Sequence, residues 1–191
     1  IYDRAAREIG DVPIVVANDG DVTALAGAMG LECGSVMGMA MGTSEAVGYV
    51  DAEGKVLGWL NELAFAPVDL FEDAMADEWS TDIGVGCKYF SQDAVIKLAP
   101  AAGIELDENL SPAEKLKVVQ ALMEKDDPRA QAIFESIGAY LAYAVVLYSQ
   151  FYDIEHMMML GRVMSGKGGD TILRVCNEIL ADDCLLYTSP S

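Results

Sequence analysis

Residues 35–55, SVMGMAMGTSEAVGYVDAEGK, contain two apolar runs, each ended by small and polar residues. The first run ends at the Gly-Thr-Ser sequence of 42–44, and the second ends at the turn-forming sequence of 51–55. Short apolar runs between glycine-containing turns indicate buried strands. With the apolar residues 56–60, the pattern predicts three successive strands and a hairpin turn at 51–55.

Outside these strands the pattern alternates between strand and helix. Residues 12–17 predict a buried strand, followed by a helix that Asp21 would cap and Gly30 would end. The second half is mainly helical, and its longest helix has the apolar spacing of a central buried helix. The predicted elements of this half are helices at 91–103, 111–125 and 127–153, a buried strand at 156–161 and a final helix at 168–183. The order predicts an α/β fold.

Composition excludes several classes of protein. Of the 191 residues 52% are hydrophobic, and the net charge is −19. That charge argues against binding to nucleic acid or to an anionic membrane surface. We expect no membrane span, because no uninterrupted apolar run approaches about 20 residues, and no signal peptide. The four cysteines form no CxxC pair, which favours reduced thiols in the cytoplasm. The single histidine, His156, is interpreted as a structural residue at a strand edge.

Three turns carry residues suited to chemistry. Asn18 and Asp19 follow the first predicted strand, where they could serve a site or cap the next helix. The bend at 42–44 could offer backbone N–H groups to a phosphate, or be an ordinary hairpin turn. The glycine-rich stretch 161–169 could bring the chain close to an anionic ligand at a helix N-terminus, or be a plain loop. Each signal is weak when taken singly.

Taken together, the order and spacing of these turns resemble the ROK family of sugar kinases and sugar-responsive repressors, within the hexokinase, Hsp70 and actin ATPase superfamily. The stretches that carry the resemblance are VVANDGDVTALAGA, MGTSEAVGYVDAEGKVLG, WLNELAF, GVGCKYFSQDAVIKLA and MMMLGRVMSGKGGD. The resemblance implies an actin-like, ribonuclease H-like ATPase lobe with a mixed β-sheet and flanking helices. It also implies that residues 1–30 end a truncated N-terminal lobe and 31–183 form the C-terminal lobe. Residues 184–191 lack periodicity and are expected to be a non-native tail on a fragment.

The resemblance also implies roles for particular residues. Asp19 takes the position of the catalytic base that removes a proton from a sugar hydroxyl. The implied sugar-binding residues are Asn18, Asn61 and Glu62. The implied phosphate- and nucleotide-binding residues are Gly42, Thr43, Ser44, Gly161, Arg162 and Gly166.

The sequence departs from the family pattern at three positions. Phe65 stands where a histidine is expected, and the family's cysteine cluster is reduced to Cys87. A single thiol cannot hold tetrahedral zinc, so we expect no metal site of this kind. Glu45 stands inside the implied phosphate loop, where a carboxylate that points inward would repel a triphosphate, and one that points outward would not.

The resemblance therefore implies an ATP-dependent kinase for a hexose or related sugar, using ATP and Mg²⁺ without zinc. The alternative is a sugar-sensing repressor or a non-catalytic sugar-binding protein on the same scaffold. An upstream helix-turn-helix segment of about 60 residues would favour the repressor, and a phosphate loop would favour the kinase. The expected partners are a small sugar and ATP, with no membrane, no nucleic acid through this portion and a possible homodimer.

Overall fold

The computed structural model describes residues 2–14, 17–59 and 61–182. Within these ranges the chain forms six α-helices and three strands, joined by loops that include two short 3-10 helices. The elements in chain order are α1 (Tyr2–Ile9), α2 (Asp19–Leu31), β1 (Val36–Met41), β2 (Glu45–Val50), the 3-10 helices Leu63–Phe65 and Gly86–Lys88, α3 (Gln92–Ala101), α4 (Pro112–Met123), α5 (Pro128–Tyr148), β3 (His156–Leu160) and α6 (Gly166–Asp182).

The three strands form one mixed sheet in the order β2-β1-β3. Strand β1 is antiparallel to β2, with Met41 opposite Glu45, and parallel to β3, with Val36 opposite His156. A strand that pairs in both directions makes the sheet mixed. The predicted α/β fold with a mixed sheet and flanking helices is confirmed.

Helix α2 covers one face of the sheet. Two strand glycines make this close approach possible: a Cβ on Gly38 would lie 2.4 Å from the Ala24 nitrogen, and one on Gly48 would lie 2.2 Å from the Gly20 carbon. Ala24 and Val36 are fully buried in the small core between α2 and the sheet. The small residues of α2 therefore pack directly on the sheet backbone.

The main core lies on the opposite face, between the sheet and helices α3 to α6. Met37, Met39 and Met41 alternate along β1 onto this face and are fully buried. Helix α5 packs against α6, and ten of its residues are buried, which confirms the predicted central helix. By length and composition α5 passes the test for a membrane-spanning helix, a test that buried core helices also pass, and half of its apolar window is buried inside the protein.

Local capping signals start α3, α4 and α5 where the sequence predicts, whereas α6 begins at Gly166, two residues before its predicted start. Ser111 and Glu114 form a reciprocal capping box at the start of α4. Ser91 caps α3 and Asp127 caps α5 through side chains that accept backbone N–H groups. Pro100 lies in the last turn of α3, where it does not prevent the helix from reaching Ala101.

The prediction for residues 12–17 is wrong in the described positions. Residues 12–14 and Ala17 form no strand and are exposed, and residues 15 and 16 lie outside the described residues. A strand needs a hydrogen-bonded neighbour, and the sheet of β2, β1 and β3 provides none for these residues.

Both ends of the following helix also differ from the prediction. The N-cap of α2 is Asn18, because its side chain accepts the Gly20 N–H, and Asp21 lies inside the first turn. The helix continues past Gly30 to Leu31 and ends at Glu32, which has a left-handed backbone with φ of 55°.

The predicted third strand at 56–60 is also wrong in its described part. It contributes only an isolated bridge between Val50 and Val56, and residue 60 lies outside the described residues. The turn at 51–55 does form, with the Asp51 N–H donating to the Lys55 carbonyl at 2.9 Å. The expected tail at 184–191 lies outside the described residues, and the expected boundary at residue 30 stays a prediction.

His156 is the exposed first residue of β3, at the position expected for a structural strand-edge residue. Its backbone N–H donates to the Ser35 carbonyl at 3.2 Å. Strand β3 itself is half-buried rather than fully buried, because it lies at an edge of the three-stranded sheet.

Candidate functional site

Two loops meet at the ends of the parallel strands β1 and β3. One is the turn of residues 42–44, and the other is the loop of residues 161–165. The Val163 N–H donates to the Met41 carbonyl at 3.2 Å. The Arg162 Nη2 donates to the Thr43 Oγ1 at 3.1 Å. The structure thus joins two predicted nucleotide-binding segments that are distant in sequence.

The 42–44 turn is anchored through Gly42. The Gly42 N–H donates to the Ser44 carbonyl at 3.0 Å, and the Gly42 carbonyl accepts the Gln92 N–H at 2.9 Å. Thr43 and Ser44 are exposed. The Gly42 N–H is therefore used within the turn, and the groups that this turn presents to solvent are on Thr43 and Ser44.

Position 161 needs a glycine because the end of β3 lies very close to the end of β1. Its φ is +109°, and a Cβ there would lie 2.2 Å from the Met41 carbonyl oxygen. Any larger residue would push the 161–165 loop away from β1. Gly161 therefore sets the position of its neighbour Arg162.

The N-terminus of α6 already holds an anionic group. The Glu124 Oε1 accepts the Lys167 N–H at 3.0 Å, and the Lys167 Nζ bonds the Asp126 Oδ1 at 2.6 Å. An internal carboxylate thus satisfies the helix end at which an anionic ligand was expected. The nucleotide-binding role of Gly166 stays a prediction.

Asn18 and Asp19 lie at the exposed N-terminus of α2. The Asn18 Oδ1 accepts the Gly20 N–H at 2.8 Å, and the Asp19 Oδ1 accepts the same N–H at 3.0 Å. Gly20 is buried, and a Cβ on it would lie 2.2 Å from the Val47 carbonyl oxygen. This contact fixes the start of the helix against β2. Asn18 is therefore the N-cap, and Asp19 shares the Gly20 N–H while its side chain stays exposed to solvent.

The loop of residues 61–65 is tied to the same end of α2. The Asn61 Nδ2 donates to the Asp21 Oδ1 at 3.1 Å, and the Tyr152 hydroxyl donates to the Asn61 Oδ1 at 3.0 Å. The Trp59 ring packs against Tyr152 with centroids 5.5 Å apart. Asn61 is therefore oriented by two partners. Glu62, the next residue, is exposed.

Glu45 is turned into the core and away from the exposed side of the 42–44 turn. Strand alternation places its side chain on the face of Val47 and Tyr49, and it is only 5% exposed. Neither carboxyl oxygen has a hydrogen-bond partner in the described part of the chain. Burial raises the pKa of Glu45 well above its usual range, and the nearby Tyr148 hydroxyl partly opposes this. In this orientation the carboxyl does not face a phosphate at the turn.

An ion cluster that sequence reasoning missed surrounds Lys88. The buried Lys88 ammonium contacts Asp93 at 2.9 Å, Asp77 at 3.6 Å and the Glu78 carboxylate. Burial alone would lower the pKa of Lys88, but these carboxylates raise it on balance. The only sequence signal is a lysine in a mainly apolar stretch, with acids ten and eleven positions before it and five positions after it.

Cys87 belongs to this cluster. Its Sγ donates to the Asp77 Oδ1 at 3.7 Å, and burial is the main cause that raises the pKa of the thiol to about 11. Phe65 packs against the Trp79 ring with centroids 5.7 Å apart. Among the described residues no group of three or more histidine, cysteine or acidic side chains could hold a metal ion.

Solved structures resemble this architecture closely. The ROK hexokinase from Thermus thermophilus superposes with a TM-score of 0.70 at 18% identity, over 93% of this chain and 59% of that chain. The chain has the fold of ROK proteins. The ROK-fold glucokinase from Streptomyces griseus, solved with glucose and AMPPNP, gives a TM-score of 0.75 at 17% identity, over 99% of this chain and 64% of that chain.

A regulator shares the ROK fold to the same degree. The ROK family transcriptional regulator that is a homologue of E. coli MLC gives a TM-score of 0.75 at 17% identity, over 96% of this chain and 48% of that chain. The present chain thus spans about half to two thirds of the length of these ROK-fold proteins. No protein-family model and no curated protein matches the sequence. The likeness confirms the fold that the motifs predicted.

Proposed function

We propose that this chain is part of a ROK-family sugar kinase that transfers the γ-phosphoryl group of ATP to a hydroxyl of a hexose or related sugar. The observation that supports this most is the Arg162–Thr43 hydrogen bond of 3.1 Å, which joins the loops after β1 and β3. Ligands of open α/β sheets commonly bind where such loops meet. The glucose and AMPPNP bound by the Streptomyces griseus glucokinase, which has the same fold, add further support.

Asp19 is the proposed general base. Its carboxylate would accept the proton of the attacking sugar hydroxyl while that oxygen forms a bond to the γ-phosphorus and the bond to the ADP oxygen breaks. Its fixed position comes from Gly20, which is buried against Val47. Asn18, Asn61 and Glu62 are proposed to bind the sugar hydroxyls, since amide and carboxylate groups supply both donors and acceptors.

Arg162, Thr43 and Ser44 are proposed to bind the ATP phosphates. Arg162 supplies a positive charge, and the exposed hydroxyls of Thr43 and Ser44 supply donors. These groups fit a polyphosphate, since the Glu45 carboxyl beside them is buried on the core face. Mg²⁺, when bound with ATP, would neutralise phosphate charge. Gly161 and Gly166 keep their proposed place beside the adenosine.

The cellular setting is proposed with the activity. Reduced cysteines and an ATP-dependent reaction suit the cytoplasm. The proposed partners are a small sugar and ATP, with a homodimer as the possible assembly.

The test is an ATP-consumption assay of the completed protein over a panel of sugars. Asp19→Asn is expected to lower kcat by about 10²- to 10⁴-fold, as expected for loss of a general base. Asp170→Asn, at an exposed aspartate of α6, is the charge-matched control and should leave kcat unchanged. Absence of turnover with every sugar, or turnover that Asp19→Asn leaves unchanged, would contradict the kinase assignment.

A sugar-responsive repressor is the second candidate. It is favoured by the TM-score of 0.75 to the ROK family transcriptional regulator, which equals that of the glucokinase. A complete protein that binds sugar without consuming ATP, and that carries an upstream helix-turn-helix segment, would establish this function instead.

A further inference from the structure

Glu45 connects the 42–44 turn to the buried interior. Its backbone directly follows Ser44, and its Cα lies opposite Met41 at the end of the β1–β2 pairing. The side chain is 5% exposed, and its two oxygens have no hydrogen-bond partner within the described residues. A buried carboxyl without a hydrogen bond of good geometry is costly, so its presence next to the 42–44 turn calls for a physical explanation.

The first contact of this carboxyl leads to the 61–65 loop. A Cβ on Gly86 would lie 2.3 Å from the Glu45 Oε2 and 3.0 Å from the Leu63 carbonyl oxygen. The Glu45 Oε2 and the Leu63 carbonyl oxygen therefore both lie close to Gly86. The Gly86 N–H also donates to the Ala66 carbonyl at 3.0 Å. Displacing the Glu45 carboxyl would disturb the packing that holds Leu63.

The second contact leads to the same loop through α5. The Tyr148 hydroxyl faces the Glu45 carboxyl, and each influences the pKa of the other. Tyr152 follows one helical turn later, with its N–H bonded to the Tyr148 carbonyl at 3.0 Å. The Tyr152 hydroxyl in turn donates to the Asn61 Oδ1 at 3.0 Å. Two separate routes thus join Glu45 to residues of the 61–65 loop.

We propose that Glu45 is a positioning residue that couples the 42–44 turn to the 61–65 loop. The coupling rests on the proposed function insofar as the turn holds the nucleotide phosphates and the loop holds the sugar. Glu45 touches neither ligand, and it acts through Gly86 and Tyr148. Its effect is to keep the two loops in one mutual arrangement.

The coupling depends on the protonation of Glu45. From α5 the group that faces it is the Tyr148 hydroxyl, and from the 3-10 helix Gly86–Lys88 it is the Cys87 thiol. The Lys88 ammonium of that same helix is occupied by three carboxylates. The acids at the start of α2 lie across the sheet, because α2 packs on the opposite face.

No cation among these groups is therefore available to pair with an ionised Glu45. Ionisation places a charge in the core without a partner, so the carboxylate must move toward water. Because Glu45 follows Ser44 directly, that movement shifts the 42–44 turn. It also removes the carboxyl from Gly86 and Tyr148, and so loosens the 61–65 loop.

Hydrogen exchange of the 191-residue chain tests this coupling without any ligand. The variants are Glu45→Gln, which keeps the shape without the acid, and Glu45→Ala, which removes it. Peptides that cover the 42–44 turn and the 61–65 loop are compared with a peptide from α4 at about pH 6 and about pH 9. The α4 peptide corrects for the pH dependence of exchange itself.

In the wild type, protection of both segments relative to α4 should fall by about tenfold at the higher pH. Glu45→Gln should keep both segments protected at both pH values, and Glu45→Ala should lower protection of both at each pH. Equal pH dependence in the wild type and Glu45→Gln, or a change confined to one segment, would overturn the proposal. If Glu45→Ala does not fold, Gly86→Ala displaces the same carboxyl and should loosen both segments.

Binding of AMPPNP and of glucose to the completed protein separates this proposal from the proposed function. Glu45→Ala should weaken both ligands by about tenfold, and Glu45→Gln should bind both as the wild type does. Coupled exchange in a wild type that binds neither ligand supports the positioning role and contradicts the proposed function. Ligand binding that Glu45→Ala leaves unchanged contradicts the positioning role alone.

Discussion

Arg162 donates a hydrogen bond to the Thr43 hydroxyl over 3.1 Å, across 119 positions of sequence. The bond joins the loops that follow two parallel strands, β1 and β3. Gly161 permits it, because its backbone lies against Met41 where no Cβ fits. The Gln120 Nε2 donates to the Arg162 carbonyl at 2.7 Å and fixes the loop from the side of α4. Arg162 is therefore held at the edge of the sheet with its guanidinium accessible to solvent.

Arg162→Ala should weaken AMPPNP binding by about tenfold, or about 1.4 kcal/mol, because a charge-assisted hydrogen bond to phosphate is lost. Arg162→Lys should recover only part of the affinity, since an ammonium cannot bind Thr43 and a phosphate with the same fork geometry. The measurement is titration calorimetry of the completed protein. Arg174→Ala is the control, because Arg174 lies in α6 and pairs with Glu135 and Glu178. Equal affinities of Arg162→Ala and the control would contradict the phosphate-binding role.

Asn18→Ala should lower the free energy of unfolding by about 1 kcal/mol, because the side chain that accepts the Gly20 N–H is lost from the N-cap. Asn18→Gly should cost only a few tenths of a kcal/mol, since glycine is tolerated at this position. Urea denaturation of the chain gives both values. Asp21→Asn is the comparison, because Asp21 does not cap the helix. A loss on Asp21→Asn that exceeds the loss on Asn18→Ala would show that the cap is assigned to the wrong residue.

Gly86→Ala should lower the free energy of unfolding by about 1–3 kcal/mol, because the added Cβ meets the Glu45 carboxyl at 2.3 Å. The carboxyl is buried, so it can avoid the added Cβ only by leaving its packed position. The same substitution in a Glu45→Ala background should cost much less, since the main clash is gone. A double-mutant cycle measured by denaturation gives the coupling free energy. Additive effects within about 0.5 kcal/mol would show that the two residues are independent.

The pH dependence of stability should change with Glu45. Its pKa is raised in the folded state, above about 4.3 in the unfolded chain, so the folded state keeps a proton that the unfolded state loses. The favourable contribution is complete below about pH 4.3 and is lost as the pH rises toward the folded-state value. Glu45→Gln should therefore gain stability relative to the wild type as the pH rises above this point.

Thermal unfolding of the wild type and Glu45→Gln from about pH 4 to about pH 8 measures that difference. Subtracting the two curves cancels the pH dependence that comes from carboxylates present in both proteins. One such carboxylate is Asp127, whose pKa the Arg129 side chain lowers to about 2. Parallel stability curves across this range would contradict a raised pKa at Glu45.

Lys88→Met should lower the free energy of unfolding by about 3–5 kcal/mol, because removal of one partner leaves buried charge uncompensated. Asp77 is the carboxylate most affected, since its side chain is only 12% exposed. The matched control is Lys167→Met, which removes an ammonium that pairs with Asp126 at the surface and should cost about 1 kcal/mol or less. Denaturant titration at neutral pH gives both values. Similar losses in the two variants would show that the Lys88 cluster has no special structural role.

Local chemistry explains why much of the fold could be predicted. Ser111 with Glu114 forms a capping box that needs only residues within one helical turn. The wide apolar surface of α5 and the strand His156–Leu160 are also readable from residues a few positions apart. The 42–44 turn and the 161–165 loop were each predicted as turns that follow strands, but the local pattern did not show that they would meet.

The wrong predictions share a dependence on distant partners. Residues 12–14 are apolar, but strand formation needs a neighbouring strand, which the sheet does not offer them. Residues 56–60 follow a genuine turn, yet among the described residues 56–59 only Val56 is paired. The orientation of Glu45 follows from strand alternation, but its burial beside Gly86 and the Tyr148 hydroxyl depends on how distant elements pack.

Periodicity, capping and turn chemistry act over a few residues, so they predicted most of the helices and the strands around the 42–44 turn, and the resemblance to ROK proteins supplied the candidate site residues. The packing of the folded chain brings Arg162 to Thr43, Asn61 to Asp21, and Lys88 to acids from two segments, none of which local sequence predicts. These contacts join residues that are distant in the chain. Burial, which sets their charge and geometry, is a property of the packed molecule.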